Sequence, residues 1–279
     1  MLLNDKKICF IGAGSMAEAI LAGMLNQKIV NPSHISITNR TDRIRLHELS
    51  HKFGVVADAE RREQSIQGAD ILILAMKPKD VGNALSDWKH LTRPGQMIIS
   101  VVAGITTDFI SNILDHSAPI IRTMPNTSAT IGLSATAIAK GITATDEHIN
   151  IAREIFESIG SVVTVEENQL DAVTGVSGSG PAYIYLLVEA MQKGAMQAGL
   201  PAGMSRELIL QTILGAAEML KKTGEDPAVL REKVTSPGGT TQAGLEILRS
   251  FGFEQALVAC ILRATERSKE LGAILSESK

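Results

Sequence analysis

Short apolar runs recur through the first half of the chain, each followed by an amphipathic stretch. Lys7–Ile11, Ile35–Asn39, Ile71–Ala75, Met97–Val102, Pro119–Thr123 and Ser134–Ala139 have the length and β-rich composition of strands. Met16–Asn26 and Asp42–Phe53 between them have helical character. A strand that is apolar at nearly every position is covered on both faces. The pattern therefore predicts a parallel sheet with helices on each side and right-handed crossovers.

Near Val165 the pattern changes. Beyond it the sequence predicts helices over Asn168–Thr174, Pro181–Ala198, Met204–Lys222, Ala228–Val234, Thr241–Phe251 and Phe253–Leu271. Pro181 and Pro227 suit first-turn positions, and Pro201 and Gly224 mark breaks. The expected organisation is an α/β domain over residues 1–165 and an all-helical domain over residues 166–279. Within the latter, Ala182–Ala198 and Leu208–Leu220 are apolar around most of the helix. Such helices must be buried, and a domain of this size has too little interior for both. An intertwined homodimer is therefore expected as the minimal unit.

Composition narrows the function classes. The 279 residues are 44% hydrophobic and 20% charged, a globular balance, while aromatics are only 3%, leaving aliphatic residues to fill the core. The formal net charge of −3 and the lack of a basic stripe argue against a nucleic-acid partner. Cys9 and Cys260 form no metal or redox motif; Cys9 reads as a small core residue, and the usage fits a reducing compartment. The segment Met1–Lys7 is short and polar and is not followed by a signal-type apolar region, nor does any apolar run reach membrane-spanning length. A soluble cytoplasmic protein with no membrane partner is expected, and no metal site.

The first strand runs into Ile11-Gly12-Ala13-Gly14-Ser15-Met16-Ala17, a G-x-G-x-x-A pattern that opens a helix. In this strand–turn–helix setting the pattern marks a Rossmann-type dinucleotide site. Gly12 permits the tight turn, Gly14 lets backbone approach a pyrophosphate, and Ala17 allows close helix packing. The pyrophosphate would rest on the helix N-terminus. At the end of the second strand, where an acidic residue would bind an unphosphorylated ribose, stand Asn39 and Arg40. Arg40 offers a planar fork to a 2′-phosphate, so NADPH is expected over NADH, with NADH also usable. Ala75-Met76-Lys77-Pro78 ends another strand at the same crevice, as does the turn containing Ala103. Lys77 is either a cofactor contact or a solvated loop lysine. Asn126, in Met124-Pro125-Asn126-Thr127, could orient a nicotinamide or structure its own loop.

Two small-residue segments lie in the helical region. Thr174–Tyr183, with Gly175, Gly178 and Gly180, implies close backbone approach to a cofactor or to another helix. Val234–Thr241 places Gly238 and Gly239 before Thr240 and Thr241 at a helix start. It is either a carboxylate site or an ordinary capped helix. The six histidines all fall before residue 165, so proton transfer in the helical domain must use a hydroxyl, a lysine, a carboxylate or water.

Four of these pieces, Gly12-Ala13-Gly14, Ala75–Pro78, Asp171–Tyr183 and Thr235–Thr241, resemble the pyrroline-5-carboxylate reductases over essentially the whole chain. The last two are specific to that family. The resemblance implies a Rossmann domain, a helical dimerisation domain and often a ring of dimers, a decamer. It implies reduction of the cyclic imine 1-pyrroline-5-carboxylate to L-proline, the last step of proline biosynthesis. By the same resemblance Gly238, Gly239 and Thr240 hold the substrate carboxylate through backbone N–H groups. Thr241 matches the catalytic threonine whose hydroxyl contacts the ring nitrogen, and Glu167 and Lys233 match positions that line the substrate pocket from the dimer partner or nearby. Lys233 stands where some members have asparagine. Asp58-Ala59-Glu60-Arg61-Arg62 also departs from the family, which often carries an asparagine near the adenosine, so no adenosine contact transfers to it. Two other readings compete. A β-hydroxyacid dehydrogenase would need a lysine where Ile184 stands, and a non-catalytic NADP(H) sensor would not need Gly238–Thr241.

The Arg40 reading predicts that Arg40→Ala lowers kcat/KM with NADPH about tenfold or more, the worth of one charge-assisted hydrogen bond, and leaves NADH almost unaffected. Equal kcat/KM for both cofactors, with the substitution silent, would remove the assignment.

Overall fold

The computed structural model describes residues 2, 3 and 5–277. Met1 and Asn4 of the N-terminal segment, and Ser278 and Lys279 of the helical region, lie outside the described residues. By contact the chain forms two compact units. One contains the residues up to Ser179 together with those from Leu262 onward; the other is Gly180–Ile261.

The first unit is built on seven strands: β1 (Ile8–Ile11), β2 (Ile35–Thr38), β3 (Ile71–Leu74), β4 (Met97–Ser100), β5 (Ile120–Met124), β6 (Ser134–Lys140) and β7 (Gly160–Thr164). They lie in the order β2-β1-β3-β4-β5-β6-β7. Alternate residues of the apolar strands feed two separate cores, as the two-residue period of a strand requires. Ile8, Phe10, Ile71, Ile73 and Ile99 pack on one side under α1 (Ser15–Asn26), α2 (Arg43–Phe53) and α6 (Asp146–Glu157). Cys9, Ile11, Leu72, Leu74 and Ile98 pack on the other under α3 (Arg62–Gly68), α4 (Val81–Trp88) and α5 (Thr107–Leu114). Cys9 is fully buried, and burial pushes its thiol up to about 11, as befits an inert core residue. Helix ends follow local chemistry: Asp42 caps α2 by accepting the Arg45 N–H, and Gly54 ends it in the left-handed region.

Two features correct the expected sheet. β6 runs antiparallel to β5, whereas every other pair is parallel. The link between them holds only the tight turn Thr127–Ile131, too short for the crossover that a parallel pair needs. The sheet also continues to β7, parallel to β6 and reached through α6. Its residues are half-buried or exposed, so it lacks the apolar run that marks the inner strands. After Thr164 the chain is helical, but Asn168–Thr174 is not one helix. A turn at Glu167–Gln169, the short α7 (Leu170–Val173) and a π-turn at Thr174–Gly178 replace it, all within the first unit.

The second unit consists of α8 (Gly180–Gln197), α9 (Ala202–Thr223), α10 (Pro227–Lys233), α11 (Thr240–Ser250) and the start of α12 (Phe253–Glu277). Helices α8 and α9 pack together, and of their residues only Ser205 and Ile209 are buried. Tyr185, Leu186, Leu208 and Leu214 are each more than half exposed in the single chain. Such apolar faces need a protein partner. Among the described residues, no helix is long and apolar enough to cross a membrane.

Light scattering at micromolar concentration is expected to give no less than twice the 29.7 kDa chain mass. A stable species of one chain mass would contradict the reading of these faces as an interface.

Candidate active site

The sheet begins at β1, passes to β2 on one side, and returns to β3 on the other. Ligands of such sheets bind at the carboxyl ends of the strands beside this reversal. Here three strand ends are tied together. The Gly12 N–H donates to Thr38 O at 2.9 Å, and the Ala75 N–H donates to Ile11 O at 2.9 Å. Gly12 has φ +116°, and a Cβ on it would meet Ala75 O at 2.3 Å, so only glycine fits. Gly14 instead has open space where its Cβ would stand, immediately before the first turn of α1. The N–H groups of that turn have no intrahelical acceptor and favour an anion.

A groove of about 770 Å³ lies at these strand ends. It gathers Ile11 through Met16, Asn39, Arg40 and Ala75 through Pro78 from three separate stretches of sequence. The cradle left by Gly12 and Gly14, and the size of the groove, fit a dinucleotide. Ala103 and Asn126 do not line it. The Asn126 side chain is occupied by its own surroundings. Its oxygen accepts the Ser128 N–H at 3.1 Å, and its amide donates to Ser177 O at 3.1 Å. Of the two roles open to Asn126, the structure displays the loop-building one.

Three groups here escaped the sequence pattern. Asp42 lines the groove beside Arg40, but its carboxylate is turned to the α2 N-terminus, 2.9 Å from the Arg45 nitrogen. Arg62 lines the groove although it opens α3, far along the sequence from Arg40. Arg45 braces the glycine-rich turn from behind. Its Nε donates to Ala13 O at 3.1 Å, while its guanidinium pairs with Glu18 on α1. Lys52 also holds Glu18, at 2.7 Å. Hydrogen bonds from Lys52 and Arg45 keep the Glu18 carboxyl below the usual carboxylate range. No sequence signal couples Glu18 to Arg45, because only the packing of α1 beside α2 brings them together.

Glu167 is engaged in a different network. Arg122 on β5 is buried and pairs with Glu167 at 3.5 Å and with Asp171 at 3.9 Å. The Thr107 N–H and hydroxyl donate to Glu167 at 2.8 and 2.5 Å, and Ser268 donates to Asp171 at 2.7 Å. A buried guanidinium demands such partners. In the small-residue stretch beside it, a Cβ on Gly178 would meet the Met124 side chain at 2.6 Å, whereas one on Gly180 would stand in open space. The neighbour of Gly178 is a side chain of β5. This stretch forms the π-turn, a distortion frequent at functional sites.

In the second unit, α10 leads through a turn into α11. Gly238 has φ +73°, and its N–H donates to Gln242 Oε1 at 2.8 Å. The Gly239 N–H donates to Ser236 O at 3.0 Å. The turn folds back on itself and engages both glycine N–H groups. The first-turn N–H groups from Thr240 onward have no intrahelical acceptor. Lys233, at the end of α10, pairs with Glu225.

Known proteins bear directly on these two units. Residues 167–271 match the family model described as pyrroline-5-carboxylate reductase dimerisation. Residues 7–104 match the model described as NADP oxidoreductase, coenzyme F420-dependent. Pyrroline-5-carboxylate reductase 1 of Bacillus subtilis (strain 168) is 46% identical over 270 residues, which are 97% of this chain and 91% of that protein. The solved pyrroline-5-carboxylate reductase of Coxiella burnetii is 35% identical and superposes with a TM-score of 0.89 over 96% of this chain and 99% of that one. The Plasmodium falciparum pyrroline carboxylate reductase, solved with NADP bound, is 26% identical with a TM-score of 0.87 over 97% and 99% of the two chains. With a 46% identical relative covering 97% of its length and that family's dimerisation model covering residues 167–271, the chain belongs to the pyrroline-5-carboxylate reductase family.

Proposed function

We infer that this protein reduces the C=N bond of 1-pyrroline-5-carboxylate to give L-proline, the closing step of proline biosynthesis, with NADPH as its preferred reductant. The observation that carries the reading is the glycine-built groove at the strand reversal, in a chain that matches reductases of this activity over almost its full length. NADPH supplies the hydride when bound. The N–H groups of Gly14 to Met16 receive the pyrophosphate on the α1 N-terminus, and Arg40 takes the 2′-phosphate.

The imine nitrogen must gain a proton as its carbon gains hydride. A protonated imine is already electrophilic, so the protein needs to orient it more than to supply a strong acid. The Thr241 hydroxyl, on the first turn of α11, is the group to hold the ring nitrogen or to pass it a proton from water. The substrate carboxylate falls to the turn of Gly238, Gly239 and Thr240. Gln242 Oε1 must then release the Gly238 N–H, and Ser236 O must release or share that of Gly239. By the family resemblance Glu167 and Lys233 are further candidates for substrate contact; Glu167 is held by Thr107 and Arg122, and Lys233 by Glu225. The exposed apolar faces of α8 and α9 support a homodimer, and a ring of such dimers, a decamer, completes the proposed assembly in the cytoplasm.

The test follows oxidation of the reduced nicotinamide with pyrroline-5-carboxylate, NADPH and NADH being run in parallel. Turnover with both, faster with NADPH, is expected. Cofactor binding without turnover would discard the reductase reading. Thr241→Ala is expected to lower kcat/KM by roughly ten- to a hundredfold while cofactor affinity holds. Unchanged kcat/KM would remove Thr241 from the reaction.

A further inference from the structure

The arginines at the β2 side of the cofactor groove divide by their partners. Arg45 is held by Glu18 and by Glu48 at 3.2 Å, and Arg61 faces Asp58 at 3.6 Å. Arg40 and Arg62 both line the groove and, among the described residues, form no ion pair. Arg62 is half-buried, so its charge is less screened than that of a fully solvated arginine.

Topology places Arg62 at one end of the groove. Val56 pairs in parallel with Ser36, its N–H donating to Ile35 O at 3.0 Å and its carbonyl accepting the Ile37 N–H at 2.8 Å. The chain therefore runs beside β2 and leaves it at the same end. It brings Arg62, the first residue of α3, to the end that carries Asn39, Arg40 and Thr41. Of the groove carboxylates, Asp42 on this side is spent on capping α2, while Asp80 and Asp87 belong to the β3 side. Arg40 and Arg62 thus both line the groove, and among the described residues neither is neutralised by a carboxylate.

We propose that Arg62 is a second cation for the 2′-phosphate of NADP(H), acting with Arg40, and so a determinant of NADPH preference. The inference rests on reading the groove as the NADP(H) site. A 2′-phosphate carries close to two negative charges and three acceptor oxygens, more than one guanidinium fork can satisfy. 5′-AMP presents the same adenosine without that group.

Calorimetric titration of the full-length protein with 2′,5′-ADP and with 5′-AMP separates the two. Arg62→Ala is expected to weaken 2′,5′-ADP about tenfold or more, as loss of a charge-assisted bond does, and to change 5′-AMP less than about twofold. Arg62→Gln should show the same loss with the side-chain length kept, and Arg61→Ala should change neither ligand. Added salt should erode the wild-type preference for 2′,5′-ADP more than that of Arg62→Ala. Wild-type affinity for 2′,5′-ADP in both Arg62 variants overturns the proposal, and so does an equal loss for the two ligands. If the wild-type protein binds neither ligand, the reading of the groove itself fails and the proposal falls with it.

Discussion

One absent side chain allows the turn after β1 to pass against the end of β3. Any Cβ at Gly12 would press into the Ala75 carbonyl, and the three tied strand ends would have to separate. Because they stay together, α1 starts at the point where the sheet reverses direction, and its first-turn N–H groups face the groove. The wall residues depend on the same junction. Arg40 follows β2, Met76 and Lys77 follow β3, and Arg45 reaches back to Ala13 from the helix that β2 feeds. A sheet buried on both faces leaves little freedom to absorb a shift there, since packed interiors transmit strain.

How much of this was readable depends on whether a feature is local. The inner strands were legible because residues such as Ile71–Leu74 are apolar at every position, which only a doubly covered sheet explains. The β1–α1 turn was legible because its three chemical roles fall within a few consecutive residues. β7 was not, because an exposed edge strand of Gly, Ser, Val and Thr has no apolar period to detect. Nor was the direction of β6, which is decided by the geometry of its link rather than by its composition. Arg62 and Arg45 were missed for the same physical reason: each meets its neighbours through pairing or packing between elements distant in sequence. The glycines at 238 and 239 were noticed, but their bonds to Gln242 and Ser236 depend on how the turn closes, which spacing does not reveal.

Two polar systems serve the first unit in different ways. Around Glu18 the charges are partly solvated and fasten α1 to α2 at the back of the glycine-rich turn. Around Arg122 the guanidinium is buried while its carboxylate partners are half-buried, and the set joins β5 to α5, to α7 and, through Ser268, to α12. Removing the carboxylates that face Arg122 would leave a buried guanidinium uncompensated, which costs more than losing an exposed pair.

The bond from Ser268 to Asp171 also bears on the order of events during synthesis. The unit that carries the sheet includes the residues from Leu262 onward, so its last helical segment leaves the ribosome only after the whole of Gly180–Ile261 has been made. Domains generally fold as units, earlier ones first, as the chain emerges. This chain departs from that schedule: the Asp171 carboxylate of the sheet-bearing unit lacks its serine until the residues from Leu262 onward have been made.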